Sequence, residues 1–502
     1  MVALSASVSW WAHADPARLA IVFKDQRVSY AELYERVCKL AGFLAERGVR
    51  PGDVVALLMK NSSAFVELAL AVSHVGAVLL PINYRLGTDE VTYIVDHSDA
   101  KLLFVDTELT DAATGCPHVV LVDEEVQRNG GMLAHDGQAL ATMVASTPET
   151  LFRLMYTSGT TDRPKGVMHT YANYFWKCAD HISALGLKKD DRILVCGPLY
   201  HVGAFDLPGL AVLMVGGCLA ILRDFDEWAV LTFIDRERLT GAWMAPVMLN
   251  RLLMAGADSA YDLTSLKWIV GGGDRTPEAR IREFKSLFKA ARYVDAYGLT
   301  ETCSGDTMMD AGREIDKIGS AGRAVAHVDI DIRDDDGRSV GAGATGEICL
   351  RGPKVSSGYW KDPERTAASR YGEWFRTGDV GYLDDDGFLF LTDRKKDMII
   401  SGGENIASSE VERVLYQMPE VLEAAAIGLP DARWGERVAA IVALKNGAVL
   451  TLDDVRRHCE GKLGGVKTPR QLVIVEALPR NPSGKVLKRV LRDDLSGTAA
   501  QF

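Results

Sequence analysis

Between Tyr156 and Gly166 the chain reads YTSGTTDRPKG, a stretch whose residue types suit a polyphosphate. Thr157, Ser158, Thr160 and Thr161 supply hydroxyls, Gly159 and Gly166 permit backbone shapes closed to side chains, and Lys165 brings a fixed positive charge. Such a loop presents N–H and O–H donors to anionic oxygens. It follows an apolar segment, Leu151 to Met155, that predicts the end of a strand. It is not the phosphate loop of ordinary nucleoside triphosphatases, G-x-x-x-x-G-K-[ST]. That pattern needs glycine where Pro164 stands and Ser or Thr where Gly166 stands. Gly/Ser/Thr clusters are commonly plain surface loops, so the weight falls on what accompanies this one.

Five further stretches carry residues of the right types. GPLYHVGAFD places Tyr200 and His201 after a strand end, and IVGGGDRTP sets three glycines, 271 to 273, before Asp274. Such a glycine run lets a flat ring approach the backbone. DAYGLTET spans Asp295 to Thr302, EWFRTGD ends at Asp379, and RNPSGKVLK puts Lys485 on a Gly-containing loop near the C-terminus.

The elements that must position these residues follow from periodicity. Ile21 to Phe23 and Arg27 to Ser29 suggest a hairpin, and Ser29 with Glu32 forms a capping box for a helix that Gly48 ends. Val54 to Met59 is a continuous apolar strand, followed by a helix from Ser62 to His74, a strand at Val78 to Pro81, a helix from Asp89 and a strand at Leu102 to Val105. This alternation predicts a parallel, doubly wound sheet. His74 and His97 fall on its helices, in packing or surface roles. Residues 124–149 read as a loop-rich connection. Strands at Arg192 to Cys196, Cys218 to Leu222, Gly241 to Ala245 and Trp268 to Val270 continue the theme as a second layered part. From His327 the texture changes to hairpins with turns at Asp336-Gly337 and Asp386-Gly387, a small β-barrel-like part. The acidic triplets Asp334–Asp336 and Asp384–Asp386 read as solvated turns. A helix from Ser409 to Met418, strands Glu423 to Ile427 and Val438 to Leu444, a helix Leu452 to Lys462 and a strand Gln471 to Val475 make a small α+β unit, joined through DRKKD, Asp393 to Asp397.

The bulk properties fit. At 502 residues the chain needs at least two domains, and its 47% hydrophobic and 25% charged residues are those of a soluble globular protein. A net charge of −11 argues against nucleic acid as a partner. Eight cysteines without a C-x-x-C pair speak against zinc sites and a disulfide framework and suit a reducing cytoplasm. No apolar run reaches the roughly 18 residues of a membrane span, so no integral membrane association is expected. The N-terminus reads as an amphipathic first helix in preference to a signal peptide.

Taken together, the six stretches resemble the acyl- and aryl-CoA synthetases of the adenylate-forming superfamily. The resemblance runs from VSYAEL to RNPSGKVLK, and PDARWGE at Pro430 to Glu436 with SGGENI at Ser401 to Ile406 look most like the CoA-ligase branch. It implies a large α/β N-terminal domain over residues 1–394, a hinge at 395–397 about Lys396, and a small mobile α+β C-terminal domain over 398–502. It also implies ATP, Mg²⁺ and coenzyme A as cofactors and co-substrates, with a small carboxylic acid as the group activated. Thr157, Ser158, Gly159, Thr160, Thr161 and Lys165 would hold the β- and γ-phosphates. Tyr297 would stack on adenine, lined by Gly273, Asp274, Arg275, Asp295, Ala296 and Gly298, with Asp295 accepting from the exocyclic amine. Asp379 would accept from the ribose hydroxyls with Arg394 in support, Thr300 would meet the α-phosphate, and Glu301 with Thr157 would hold Mg²⁺. Lys485 would contact the carboxylate and α-phosphate in one orientation of the small domain. Gly402, Gly403 and Glu404 would face the pantetheine path in the other. His201 matches a gate at the acyl pocket, a buried structural imidazole being the alternative. Tyr200, Phe205, Trp243, Met244, Val247, Gly271, Gly272 and Leu299 would line that pocket. Trp243 pointing inward would shorten it in favour of aryl, cyclic or short acids; a core tryptophan is the other reading.

Three positions depart from the pattern. Asp162 replaces a glycine of T-T-G-x-P-K-G, Ser408 a common proline, and Asp274 a small residue. Besides a CoA ligase, the fold admits an enzyme loading a carrier protein, a luciferase-like oxygenase and a silent nucleotide-binding regulator. The joint presence of Lys165, Glu301, Asp379 and Lys485 argues against the last. The residue pattern leaves monomer and homodimer both open.

Overall fold

The computed structural model describes residues 3–122, 138–157, 163–255, 261–394, 397–401, 404–431, 433–480 and 486–498. Four sheets are formed among them. The first orders its strands Gly358–Tyr359, Lys165–Thr170, Leu151–Thr157, Val78–Pro81, Val54–Leu58, Ala100–Asp106 and Val119–Val122. The five from Leu151–Thr157 onward run parallel, as the strand–helix alternation requires. Val54–Leu58, VVALL, is buried at every position, the mark of a strand covered on both faces.

The second sheet runs Arg323–Ala324, Thr307–Met308, Arg292–Tyr297, Trp268–Gly271, Gly241–Met244, Arg192–Val195, Cys218–Ile221, Leu19–Phe23 and Gln26–Ser29. The N-terminal hairpin is therefore no isolated ribbon. Leu19–Phe23 adds in parallel to Cys218–Ile221, a long-range pairing that hairpin signals cannot foretell. Helix Ser63–His74 is buried at all twelve positions and touches strands of both sheets. A helix buried all round belongs in a core, its Glu67 paired with Arg36 at 3.0 Å, and this one packs between the two layers. Helix Tyr30–Glu46 opens with the expected capping box, Ser29 Oγ accepting from Glu32 N while Glu32 Oε2 accepts from Ser29 N at 2.7 Å. His74 is buried beside Ser5, and all eight cysteines are unpaired thiols.

The third sheet is antiparallel, built from Asp329–Arg333, Gly346–Arg351, Trp374–Leu383, Arg370–Tyr371 and Leu389–Arg394. Its described strands form an open ladder, so the barrel-like part is a five-stranded sheet. The acidic triplets are turns: Asp334 Oδ1 accepts from the amides of Asp336 and Arg338, and Asp384 and Asp386 pair with Lys317.

The fourth sheet, Glu404–Ile406, Ile399–Ser401, Gly435–Leu444, Val421–Asp431 and Gln471–Val475, has a hydrophobic core of its own, with helices Ser408–Leu415 and Leu452–Cys459 packed into it. Both helices stop three residues short of the sequence expectation. The first ends in a turn, and the second runs into Gly461 at φ 71°. On either side of residues 395–396 an aspartate is tied down. Asp393 Oδ2 accepts from Ser408 N and Oγ at 2.6 Å, and Asp397 Oδ1 accepts from Arg492 Nη1 at 3.1 Å.

Candidate active site

Strand Leu151–Thr157 pairs antiparallel with Lys165–Thr170, Thr157 opposite Lys165, so the pairing itself sets the lysine beside Thr157. The next strand out, Gly358–Tyr359, pairs with Met168 and Val167 and lays the Tyr359 ring against Lys165. Lys165 Nζ donates to Tyr359 Oη at 3.0 Å, Tyr359 Oη donates to Glu301 Oε1 at 2.9 Å, and Lys165 lies 3.3 Å from Glu301. Burial, and then the Glu301 charge, raise the Tyr359 phenol, so it stays a donor. A cation from one sheet thus meets a carboxylate carried by the other.

Glu301 comes from the short 3₁₀ turn Thr300–Thr302 that follows strand Arg292–Tyr297. At that strand's end Tyr297 Oη donates to Asp379 Oδ2 at 2.8 Å. Asp379 stands on Trp374–Leu383 in register with Arg394 on the neighbouring strand, so Tyr297 and Asp379 meet from two sheets. Burial pushes the Asp295 carboxyl up to about 7, with the Arg275 charge pulling it back.

The glycine triplet divides its work. A Cβ on Gly271 would stand 1.6 Å from Tyr293 Oη, whose hydroxyl bonds Thr276 Oγ1, and one on Gly272 would stand 2.9 Å from the Ala296 carbonyl. Only Gly273, exposed at φ 94° with nothing within 4 Å of a Cβ, leaves the backbone open to a ligand ring. The first two glycines are packing requirements between neighbouring strands.

On the acyl side, Trp243 is 5% exposed and lies against Gly197 and Gly203, where any Cβ would strike its ring within 2.4 Å. His201 stacks on it at 6.0 Å and caps helix Val202–Asp206, accepting from Gly203 N at Nδ1. Burial lowers His201 to about 4, so the imidazole is neutral at working pH. Trp243 is a packed tryptophan, and His201 rests on its ring. Tyr200 meets Tyr84 edge-on at 5.2 Å, Met244 is fully buried, and Val247 and Leu299 are half-buried. Phe205 is fully buried against Arg153 and Tyr174.

The donor set suits a hard divalent cation shared with phosphates. Thr157 Oγ1 is buried without a partner, Glu301 offers carboxylate oxygens, and no cluster of three or more His, Cys, Asp or Glu among the described residues competes as a cage. Mg²⁺ takes one or two carboxylates plus substrate phosphates in this manner. Ser158, Gly159, Thr160, Thr161, Asp162, Lys396, Gly402, Gly403 and Lys485 lie outside the described residues; Glu404 is exposed on its strand.

Sequence reasoning missed Tyr359 and a buried group behind the Thr300–Thr302 turn, formed by Arg153, His169, Asp206, Lys177 and Lys354. All five side chains are fully buried. The available signal was a charged or imidazole residue inside otherwise apolar strands, Arg153 in LFRLMYT and His169 in KGVMHT.

Comparison with known proteins agrees. The AMP-binding enzyme family matches residues 8–360, and the AMP-binding enzyme C-terminal domain matches residues 410–485. A feruloyl-CoA synthase from Amycolatopsis sp is 36% identical over 483 residues, 96% of each chain. An indoleacetate–CoA ligase from Aromatoleum aromaticum is 35% identical over 498 residues, 97% of each. The o-succinylbenzoate CoA synthetase MenE from Bacillus subtilis, solved with its acyl-adenylate intermediate, superposes with a TM-score of 0.87 at 30% identity over 97% of both chains. The same synthetase has been solved with ATP and a magnesium ion. The chain belongs to the AMP-binding enzymes, the adenylate-forming superfamily, and stands among its acyl- and aryl-CoA synthetases.

Proposed function

We propose that the protein is an ATP-dependent, AMP-forming carboxylic acid–CoA ligase acting on an aryl or similarly compact acid. A carboxylate oxygen attacks the α-phosphorus of ATP, pyrophosphate leaves, and an acyl-AMP anhydride forms. The CoA thiol then attacks the acyl carbon and expels AMP. The first step brings two anions together, so its chief need is positive charge set in advance. Lys165 supplies it at the β- and γ-phosphates, held in place by Tyr359. Glu301 and Thr157 would hold Mg²⁺, which neutralises charge on the phosphate oxygens when bound. Asp379 accepts from the ribose hydroxyls while Tyr297 packs on the base and Asp295 accepts from its amine. Lys485 delivers the second cation when the small domain, residues 398–502, closes on residues 1–394, and a turn about 395–397 withdraws it to admit CoA.

The observation that carries this reading is the meeting of Lys165, Tyr359 and Glu301 within 3.3 Å at the end of the hydroxyl-rich stretch. The buried Trp243–His201 stack favours flat or short acids. The unpaired cysteines suit a reducing compartment, and the cytoplasm is the setting that goes with ATP and CoA. No helix among the described residues is long and apolar enough to cross a membrane. A panel of acids tests the whole. Aryl acids should support pyrophosphate exchange without CoA, and thioester plus AMP with it. Release of ADP, or equal rates with long-chain fatty acids, would count against it.

A further inference from the structure

The segment that bears Thr300 and Glu301 is held both by its own turn bonds, Cys303 N donating to Thr300 O and Ser304 N to Leu299 O, and from outside. After the 3₁₀ turn, Cys303, Ser304 and Gly305 take three successive left-handed conformations at φ 56°, 64° and 61°, a run that L-residues avoid. Four of its carbonyls are also gripped from outside. Ser356 N donates to Glu301 O at 2.7 Å, and the buried Lys354 Nζ donates to Ser304 O at 2.8 Å and Gly305 O at 2.7 Å while lying 3.1 Å from Asp306 Oδ1. On the other side His169 Nε2 lies 2.7 Å from Thr300 O.

The His169 proton is placed by its neighbours. Arg153 aims Nε and Nη2 at His169 Nδ1, at 3.1 and 2.9 Å, and a guanidinium has donors only. Nδ1 must therefore accept, and Nε2 carries the hydrogen that goes to Thr300 O. Asp206 holds Arg153 in a two-pronged pair at 2.9 and 2.7 Å, and Lys177 donates to the Asp206 carbonyl at 3.1 Å. Burial first, and then the Arg153 charge, lower His169 to about 3, so it does not ionise at working pH.

We propose that His169, oriented by Asp206 and Arg153, and Lys354, paired with Asp306, are positioning residues that fix the Thr300–Glu301 turn for adenylation. The proposal rests on the reading that Thr300 meets the α-phosphate and Glu301 the metal. A displacement of about 1 Å in such a group costs on the order of 10²-fold in rate. The load falls on kcat and on the Mg²⁺ requirement, with binding of AMP largely spared.

His169→Leu and His169→Gln separate hydrogen bonding from packing, since glutamine can accept from Arg153 and donate to Thr300 O. In pyrophosphate exchange, His169→Leu should lose about 10²-fold in kcat and need several-fold more Mg²⁺ for half-saturation. His169→Gln should recover at least tenfold of that loss, and AMP affinity by calorimetry should change less than threefold in both. Lys354→Met with Asp306→Asn removes that buried pair without leaving a lone charge and should give the same kcat and Mg²⁺ signature. It decides the matter if His169→Leu does not fold. Folded variants with wild-type kcat and Mg²⁺ dependence, or glutamine no better than leucine, would overturn the proposal. Glu301→Gln separately tests the underlying reading: an unchanged Mg²⁺ requirement there would sink the metal assignment, whatever the His169 variants do.

Discussion

Lys165, Tyr359 and Glu301 form a triangle in which a cation, a neutral donor and a carboxylate each limit the motion of the other two. Lys165→Met should lower acid-dependent pyrophosphate exchange on the order of 10²–10³-fold, the usual cost of one pre-positioned charge. Tyr359→Phe removes one hydrogen bond to each partner and should cost about tenfold in the same assay. Lys165 was legible in the sequence because its loop advertises it. Tyr359 was not, because it meets Lys165 across 194 positions through a two-residue strand whose pairing no local signal announces. Asp295 allows a test by pH. Its folded carboxyl is raised to about 7 by burial, so between the ordinary carboxylate range and pH 7 the folded state binds more protons than the unfolded one. Its contribution to stability is therefore full at low pH and is lost as pH rises through about 7. Denaturation curves of wild type and Asp295→Asn should diverge across that window, the wild type losing ground as pH rises; parallel pH profiles would contradict it.

At the scale of elements, the strand–helix alternation made the two parallel sheets readable, and the capping residues marked helix starts closely. What stayed hidden was which strands adjoin. Leu19–Phe23 looked like half of a hairpin and proves also to be a partner of Cys218–Ile221. The glycine triplet teaches the same lesson at the site. Three glycines suggested access for a ring, whereas Gly271 and Gly272 answer to Tyr293 and Ala296 on the adjacent strand. Gly271→Ala should destabilise the fold by about 1–3 kcal/mol through overpacking, measurable by chemical denaturation. The proposed acid selectivity is tested at this scale too, because Trp243 is set by a strand and two backbone glycines. Trp243→Leu should shift the kcat/KM ratio toward longer acids by roughly tenfold or more, read from competing substrates. An unchanged ratio would move the selectivity wall elsewhere.

At the scale of the molecule, the two large sheets are locked together by a helix with no exposed face, while the last hundred residues keep a core of their own. In the sequence the polar DRKKD stretch, Asp393 to Asp397, is where that unit is expected to begin. Asp393 and Asp397 add what the sequence did not carry: the first is fastened to Ser408 and the second to Arg492. The claim at the centre is that one site performs two half-reactions, with Lys485 serving only the first. The direct test is to measure both steps separately in Lys485→Ala. Acyl-AMP formation from acid and ATP should fall by at least 10²-fold, while conversion of supplied acyl-AMP and CoA to thioester stays within a few-fold of wild type. Equal loss in both steps, or none in the first, would contradict the account.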